Sequence, residues 1–310
     1  MGIAVAVHNL TKHYGDITAV DNISFEVNHG GIFGFLGPNG AGKTTTIRIL
    51  TGIIKPDEGK ATIMGHDIEK EPLQAKQVMG IVPEMSNAYI DLSAWDNLML
   101  IGELYGVPKK LRIERAKRLL EKFSLYDRRD QLVRGFSKGM KQRLILCMAL
   151  INEPSILFLD EPTSGLDVES AKLMREMITE LNDGGITVFL TTHNMEEANK
   201  LCDRIAIINH GRIAAIDTPE NLRMKSSSLQ SIEASFDYMV NMDDLAKISC
   251  IKQAEKMGDK IKFYTSDPNE ALHCVMNYAR LHNLRIITLN TLAPSLEDVF
   301  LKLTQTKHEG

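Results

Sequence analysis

Gly37-Pro38-Asn39-Gly40-Ala41-Gly42-Lys43-Thr44 decides how this chain is read, because the run fits G-x-x-x-x-G-K-T in a particular setting. It follows an unbroken apolar segment, Ile32 to Leu36, and opens a short helical stretch from Thr45 to about Leu50 that Gly52 can end. A buried strand, a glycine-rich loop and a helix in that order make a phosphate cradle. The glycines Gly37, Gly40 and Gly42 let backbone N–H groups converge on phosphate oxygens, with Pro38, Asn39 and Ala41 completing the loop. The helix amino terminus adds partial positive charge, Lys43 is expected to reach the β- and γ-phosphates, and Thr44 offers a hydroxyl to Mg²⁺. By itself the loop specifies a nucleoside triphosphate and nothing more.

Working outward, Ile23, Phe25 and Val27 alternate with polar residues as in a half-buried strand, and Gly30-Gly31 turns the chain into the strand before the loop. Downstream, Ile156 to Leu159 reads as a second buried strand ending at Asp160-Glu161. That is where a triphosphate site needs acid: Asp160 to hold Mg²⁺ and Glu161 to orient or deprotonate the attacking water. Leu173, Met174, Met177, Ile178 and Leu181 have helical spacing, Gly184-Gly185 stops them, and Ile186 to Leu190 forms a third strand. Strands alternating with helices predict an α/β fold with a mostly parallel sheet covered on both faces.

The 310 residues allow two domains, and a net charge of −4 excludes a uniformly basic chain, so no nucleic-acid partner is expected. The average hides an uneven distribution. Val107 to Arg143 holds 13 Lys or Arg against 4 Asp or Glu, with Ile113, Ala116, Leu119 and Leu120 at helical spacing; Leu144 to Lys200 holds 3 against 10. The basic part is predicted to be a helical subdomain, about 85–145, whose charges either form a functional patch or are solvated helix faces. The longest apolar run, Leu144 to Ile151, is eight residues, short of the roughly 20 that a spanning helix needs. No secretory signal is expected at the amino terminus, and Ala6 breaks the myristoylation pattern. Cys147, Cys202, Cys250 and Cys274 are scattered without metal or disulfide spacing, and reduced thiols in a cytosolic setting are expected.

After the strand-turn-strand Ile205 to Ala215 and a helix start at Thr218-Pro219-Glu220, the cluster Lys225-Ser226-Ser227-Ser228 reads as a linker or loop. Beyond it, the expected elements are strand 229–236, helix 241–247, strands 249–256 and 260–266, helix 268–282, strand 284–290 and a final helix from Ser295 to Thr304. That order suits a ferredoxin-like βαββαβ unit. The division is therefore 1–222 and 223–310.

The phosphate loop, Phe136-Ser137-Lys138-Gly139-Met140, Asp160-Glu161, Ser164-Gly165-Leu166-Asp167 and Thr191-Thr192-His193 together resemble the ATP-binding cassette of ABC transporters over residues 1 to about 220. The serine-glycine signature, 23 residues before Asp160, is the most specific element. Ser295-Leu296-Glu297-Asp298-Val299-Phe300 resembles the accessory region of drug-resistance export ATPases of the daunorubicin type.

The resemblance implies a cassette with a mostly parallel sheet, an antiparallel β subdomain, a helical subdomain and an accessory α+β domain. It also implies ATP and Mg²⁺. Tyr14 would stack on adenine, with a strand-packing tyrosine as its plain alternative, and Thr45 would assist at the α-phosphate. His193 would contact the γ-phosphate, and Asp167 would lie in the loop that communicates between two sites. Ser137 and Gly139 would contact the γ-phosphate bound by an opposite cassette, so two copies would be needed. Two positions depart from the usual pattern. Glu84, in Ile81-Val82-Pro83-Glu84, stands where most cassettes have Gln; its carboxylate can ligate Mg²⁺ but adds negative charge near phosphates. Lys138 and Met140 replace the usual glycine and glutamine of the signature, and Lys138 is either an aid to an anion or simply exposed.

Two cassettes closing over ATP would power a separate permease, an exporter by subfamily resemblance, with the chain on the cytoplasmic face of the cell membrane. The alternatives are a soluble cassette ATPase acting on ribosomes or nucleic acid, and a regulatory nucleotide-binding module. The first usually has tandem cassettes or a long coiled coil, and here 117 positions separate Lys43 from Asp160. The second would lack Glu161 or His193, and both are present. For the tail, a dimer brace, a sensor of the permease or substrate, and a packing appendage all stay open.

Overall fold

The β-branched and aromatic strand that precedes the phosphate loop lies in the middle of a sheet, and the fold can be followed outward from it. The computed structural model describes residues 2–85, 88–225, 230–238, 240–245, 248, 250–292 and 296–305. It divides into two compact units, one ending at Thr218 and the other beginning at Pro219.

The first unit begins with β1 (Ile3–Tyr14), β2 (Ile17–Asn28), β3 (Ile32–Leu36) and α1 (Lys43–Leu50), then β4 (Glu58–Ile63), β5 (His66–Asp67), α2 (Pro72–Gln77) and β6 (Met79–Val82). Helices α3 (Ala94–Leu104), α4 (Lys109–Lys122) and α5 (Lys138–Leu150) follow. The unit closes with β7 (Ile156–Asp160), α6 (Val168–Asp183), β8 (Thr187–Thr192), α7 (Met195–Leu201), β9 (Arg204–Asn209) and β10 (Arg212–Asp217).

Strands β2-β1-β4-β5 form an antiparallel sheet, and β10-β9-β3-β8-β7-β6 form a sheet that is parallel apart from the β9–β10 hairpin. The central strands β3 and β7 are buried at every position, which is why they read as continuous apolar runs. In β2 the inward residues Ile23, Phe25 and Val27 alternate with exposed ones, as the period-2 pattern predicts. Sequence reading missed β1 and β4; their register is interrupted by several irregularities, which spoil a clean alternation.

One core joins the two sheets. Phe25, Phe33, Phe35, Phe158 and Phe189 meet there, with Phe189 5.4 Å from Phe158, 5.6 Å from Phe33 and 5.7 Å from Phe35 between ring centroids. Phe189 is fully buried. Phe189→Ala is expected to remove about 3–5 kcal/mol of stability through the cavity it leaves, read as a lowered denaturation midpoint.

The basic segment is helical, and much of its charge is paired. Arg112 meets Glu103, Arg115 and Arg118 both meet Glu153, and Lys122 meets Glu180. Arg118 and Lys122 fit the solvated-face reading, whereas Arg112 is buried and Arg115 largely so.

The second unit contains α8 (Pro219–Lys225), β11 (Gln230–Phe236), α9 (Met242–Leu245), β12 (Gln253–Met257), β13 (Lys260–Thr265), α10 (Pro268–Leu281), β14 (Ile286–Leu292) and α11 (Leu296–Gln305). The boundary placed at 222 from the sequence falls inside α8, which packs against α11. The serines of the expected linker lie outside the described residues. Its sheet has the antiparallel order β12-β13-β11-β14, the order of a ferredoxin-like unit in which the first helix is brief. Ile232, Ala234, Ile261 and Phe263 point to a core shared with Ala271, Val275 and Tyr278 of α10.

One expectation fails here. Cys250 and Cys274 are joined in a disulfide, so two of the four cysteines are not free thiols. Their 24-residue separation carries no signal; the packing of α10 beside the segment after α9 brings them together. Cys147 and Cys202 are free and buried, and burial pushes both thiols up, away from reactivity.

Candidate active site

Strands β3, β6, β7 and β8 run parallel, so their carboxyl ends lie along one edge of the sheet, and each delivers a different group there. The phosphate loop follows β3, Glu84 follows β6, Asp160 and Glu161 end β7, and His193 follows β8. A cleft of about 400 Å³ is lined by Pro38, Asn39, Gly40, Gly42, Lys43, Thr44, Thr45, Glu84, Glu161 and His193, with Ala19 and Ser164.

The loop is shaped by close backbone approach. Gly42 has φ +108°, and a Cβ there would stand 2.4 Å from the Ala19 carbonyl oxygen, so a side chain is excluded twice over. Lys43 is 6% exposed and curls over its own loop. Its ammonium donates to the Gly37 carbonyl at 2.7 Å and the Pro38 carbonyl at 3.3 Å, and lies 3.2 Å from Glu161 Oε1. The other Glu161 oxygen is 2.9 Å from His193 Nδ1. One buried carboxylate thus links the phosphate-loop lysine to the histidine of the next strand.

Glu161 is held firmly. It takes a left-handed backbone, φ +50°, an unfavourable region for a residue with a side chain. Its N–H donates to both the carbonyl and the hydroxyl of Thr191, at 3.1 and 3.2 Å, which fixes that conformation. The Thr191 hydroxyl donates in turn to Asp160. Thr191 and Ser164 were quoted in the sequence motifs without roles of their own; Ala19 carried no signal.

Asp160 is buried, and its partner Thr191 is neutral. Among the described ion pairs no cation balances it. Asp160 does not itself line the cleft, but its carboxylate, the Thr44 hydroxyl and the exposed Glu84 are hard-oxygen donors of the kind Mg²⁺ uses alongside phosphate oxygens. The residues therefore fit a magnesium–triphosphate pair, although no three acidic, histidine or cysteine side chains form a complete metal cage among the described residues.

Tyr14, Ser137, Gly139 and Asp167 stand apart from the cleft. Tyr14, at the end of β1, is 48% exposed and does not line the cleft. Ser137 caps α5, its hydroxyl accepting from the Met140 N–H at 3.2 Å, and Gly139 is buried in the first turn; neither lines the cleft. Asp167 caps α6, accepting from the Ser170 N–H and hydroxyl at 2.8 and 2.9 Å. The Ser170 N–H bond, helped by the hydroxyl, holds the Asp167 carboxyl below the usual carboxylate range.

A lysine folded over a glycine-rich loop, facing a carboxylate at the end of another parallel strand of the same sheet, defines a P-loop nucleotide-binding cassette. Comparison with known proteins narrows the class. Residues 20–164 match the ABC transporter family. Over nearly its whole length the chain is similar to the Nod factor export ATP-binding protein I of Cupriavidus metallidurans, at 38% identity covering 98% of both chains. It is likewise similar to the linearmycin resistance ATP-binding protein of Bacillus subtilis, at 36% identity covering 96% of both. The daunorubicin/doxorubicin resistance ATP-binding protein of Streptomyces peucetius is 34% identical over 97% of this chain and 92% of its own. Among solved structures, an ATP-binding subunit of an ABC transporter superposes with a TM-score of 0.66 at 30% identity, covering 72% of this chain and 92% of that one. A dimeric post-hydrolysis cassette bound to ADP and Pi gives 0.63 at 26% identity, covering 69% and 98%.

The chain belongs to the ABC transporter family as an ATP-binding protein of the exporter type. It binds ATP and is an ATPase. The ribosomal, nucleic-acid and purely regulatory alternatives are not favoured.

Proposed function

We propose that this chain is the motor subunit of an exporter, in which two copies close over ATP and drive a separate membrane permease from the cytoplasmic face. The observation that carries the reading is the Lys43–Glu161–His193 bridge beside the phosphate loop, with Ser137 and Gly139 outside the cleft. A site that keeps its base and lysine but leaves its signature elsewhere is complemented by a second copy. The absence of any described helix long and apolar enough to cross a membrane supports a separate permease.

The residue roles follow from chemistry. Backbone N–H groups of the loop and Lys43 bind the β- and γ-phosphates, and Thr45 supports the α-phosphate. Thr44 and Asp160, with Glu84, would hold Mg²⁺, which would neutralise phosphate charge. Glu161 accepts a proton from the attacking water, and His193 orients Glu161 and contacts the γ-phosphate. Ser137 and Gly139 reach the γ-phosphate held by the other copy, Asp167 lies in the loop between the sites, and Tyr14 faces the adenine. For Lys43 to engage phosphate it must exchange Glu161 and two carbonyls for the nucleotide, which leaves Glu161 free for water.

Relatives of nearly equal identity are named for Nod factor, linearmycin and daunorubicin. Cargo choice therefore belongs to the permease. The test is phosphate release by the purified chain at rising concentration, with and without Mg²⁺, and with membranes carrying its permease. Turnover is expected to rise faster than linearly with chain concentration, to need Mg²⁺ and to increase with the permease. Strictly linear turnover would overturn the two-copy arrangement.

A further inference from the structure

The signature turn that opens α5 and the Ser164–Asp167 turn before α6, of which only Ser164 lines the cleft, touch within this chain at positions that lack side chains. Gly165 has φ +64°, and a Cβ there would stand 2.2 Å from Lys138 Nζ. Gly139 is buried, and a Cβ there would stand 2.5 Å from Ser170 Oγ, a hydroxyl already held 2.9 Å from Asp167 Oδ2. One signature residue thus covers the turn, and the next packs on the residue that the end of the turn holds.

The lysine is not there for its helix. Lys138 opens α5, where a cation opposes the helix dipole. Among the described residues no carboxylate lies within ion-pair distance of it. Its side chain is exposed overall, yet the ammonium rests on the one residue of the turn that offers no side chain against it. That turn runs between the carboxylates of Glu161 and Asp167, whose fields attract a cation placed beside it.

We infer that Lys138 is a positioning residue whose ammonium seats the Ser164–Asp167 turn against the signature helix of the same chain. The segment reaching toward the second copy and the loop that follows Glu161 then move as one body when two copies close. This rests on the two-copy reading above for its consequence, though the contact itself lies within one chain.

The experiment compares the full-length chain with Lys138→Met, which keeps the stem and removes the charge, Lys138→Arg, which restores charge, and Lys138→Gly. Amide hydrogen exchange of residues 163–168 without nucleotide is expected to quicken by about tenfold in Lys138→Met and Lys138→Gly and to return toward the original rate in Lys138→Arg. Single-copy ATP affinity should not change, since Lys138 does not line the cleft. In turnover, kcat should fall by about fivefold or more with KM unchanged. In a Glu161→Gln background, the ATP concentration for half-maximal pairing should rise in Lys138→Met. Unchanged exchange in both uncharged variants overturns the inference. Weakened pairing with unchanged exchange overturns it too, by assigning Lys138 to the phosphate held by the second copy. Absent pairing with Lys138 in place overturns the two-copy reading instead, while the exchange result still decides the contact.

Discussion

Glu161→Gln is expected to leave ATP binding and ATP-dependent pairing intact while phosphate release falls by about 10² to 10⁴-fold, the usual scale for losing a positioned general base. The substitution keeps the shape of the side chain and removes its charge. Its amide oxygen can still accept from Lys43, and its NH2 can donate to His193 Nδ1 in the tautomer protonated at Nε2, taking the places of the two carboxylate oxygens that now lie 3.2 and 2.9 Å from those partners, so the cleft has no reason to collapse. What it loses is the ability to take a proton from water. Freed of an ion pair, Lys43 should also pass to phosphate more readily, so ATP binding should tighten or stay the same. Calorimetric ATP titration, size-exclusion chromatography with ATP and a phosphate-release assay read the three quantities separately. Turnover within about threefold of the original would remove Glu161 from its role.

Lys43→Ala should fail at the earlier step. Lys43 is buried with Glu161, and truncating one member of a buried charge pair costs about 2–5 kcal/mol, in part because the other charge is left uncompensated. A triphosphate entering that cleft would meet an unpaired carboxylate instead of an ammonium. The expected result is ATP affinity weakened by about 10² to 10³-fold, seen by calorimetry, with no ATP-dependent pairing. The two substitutions therefore separate cleanly: one binds and does not turn over, the other does not bind. Lys43→Ala with ATP affinity close to the original would show that the loop backbone alone holds the phosphates.

Much of this was legible from local pattern. The P-loop reads from glycine spacing after an apolar run, because its conformation is set by short-range sterics. The Asp160-Glu161 pair reads from its place at the end of a buried strand. Strands β1 and β4 were missed because their register breaks hide the alternation, and the boundary near 222 missed that α8 packs with α11. The disulfide went unread because nothing within a 24-residue spacing records that a helix folds back. Tyr14 could be named from motif likeness, but its place outside the cleft could not, since it depends on how separate elements pack.

The sequence by itself determined the class of chemistry: a phosphate cradle, an acid pair, a switch histidine and a chain with no run long enough to span a membrane. Those are one-dimensional properties, set by residue type and spacing. The tertiary structure decided which groups meet. Parallel strands β3, β7 and β8 bring Lys43 against Glu161, more than a hundred residues further along the chain, and Glu161 against His193. Likewise the close approach of α5 and α6 puts Lys138 on Gly165. Strand order and helix packing are products of the whole core, in which Phe25, Phe33, Phe158 and Phe189 hold the two sheets together. No local stretch of the chain carries that information.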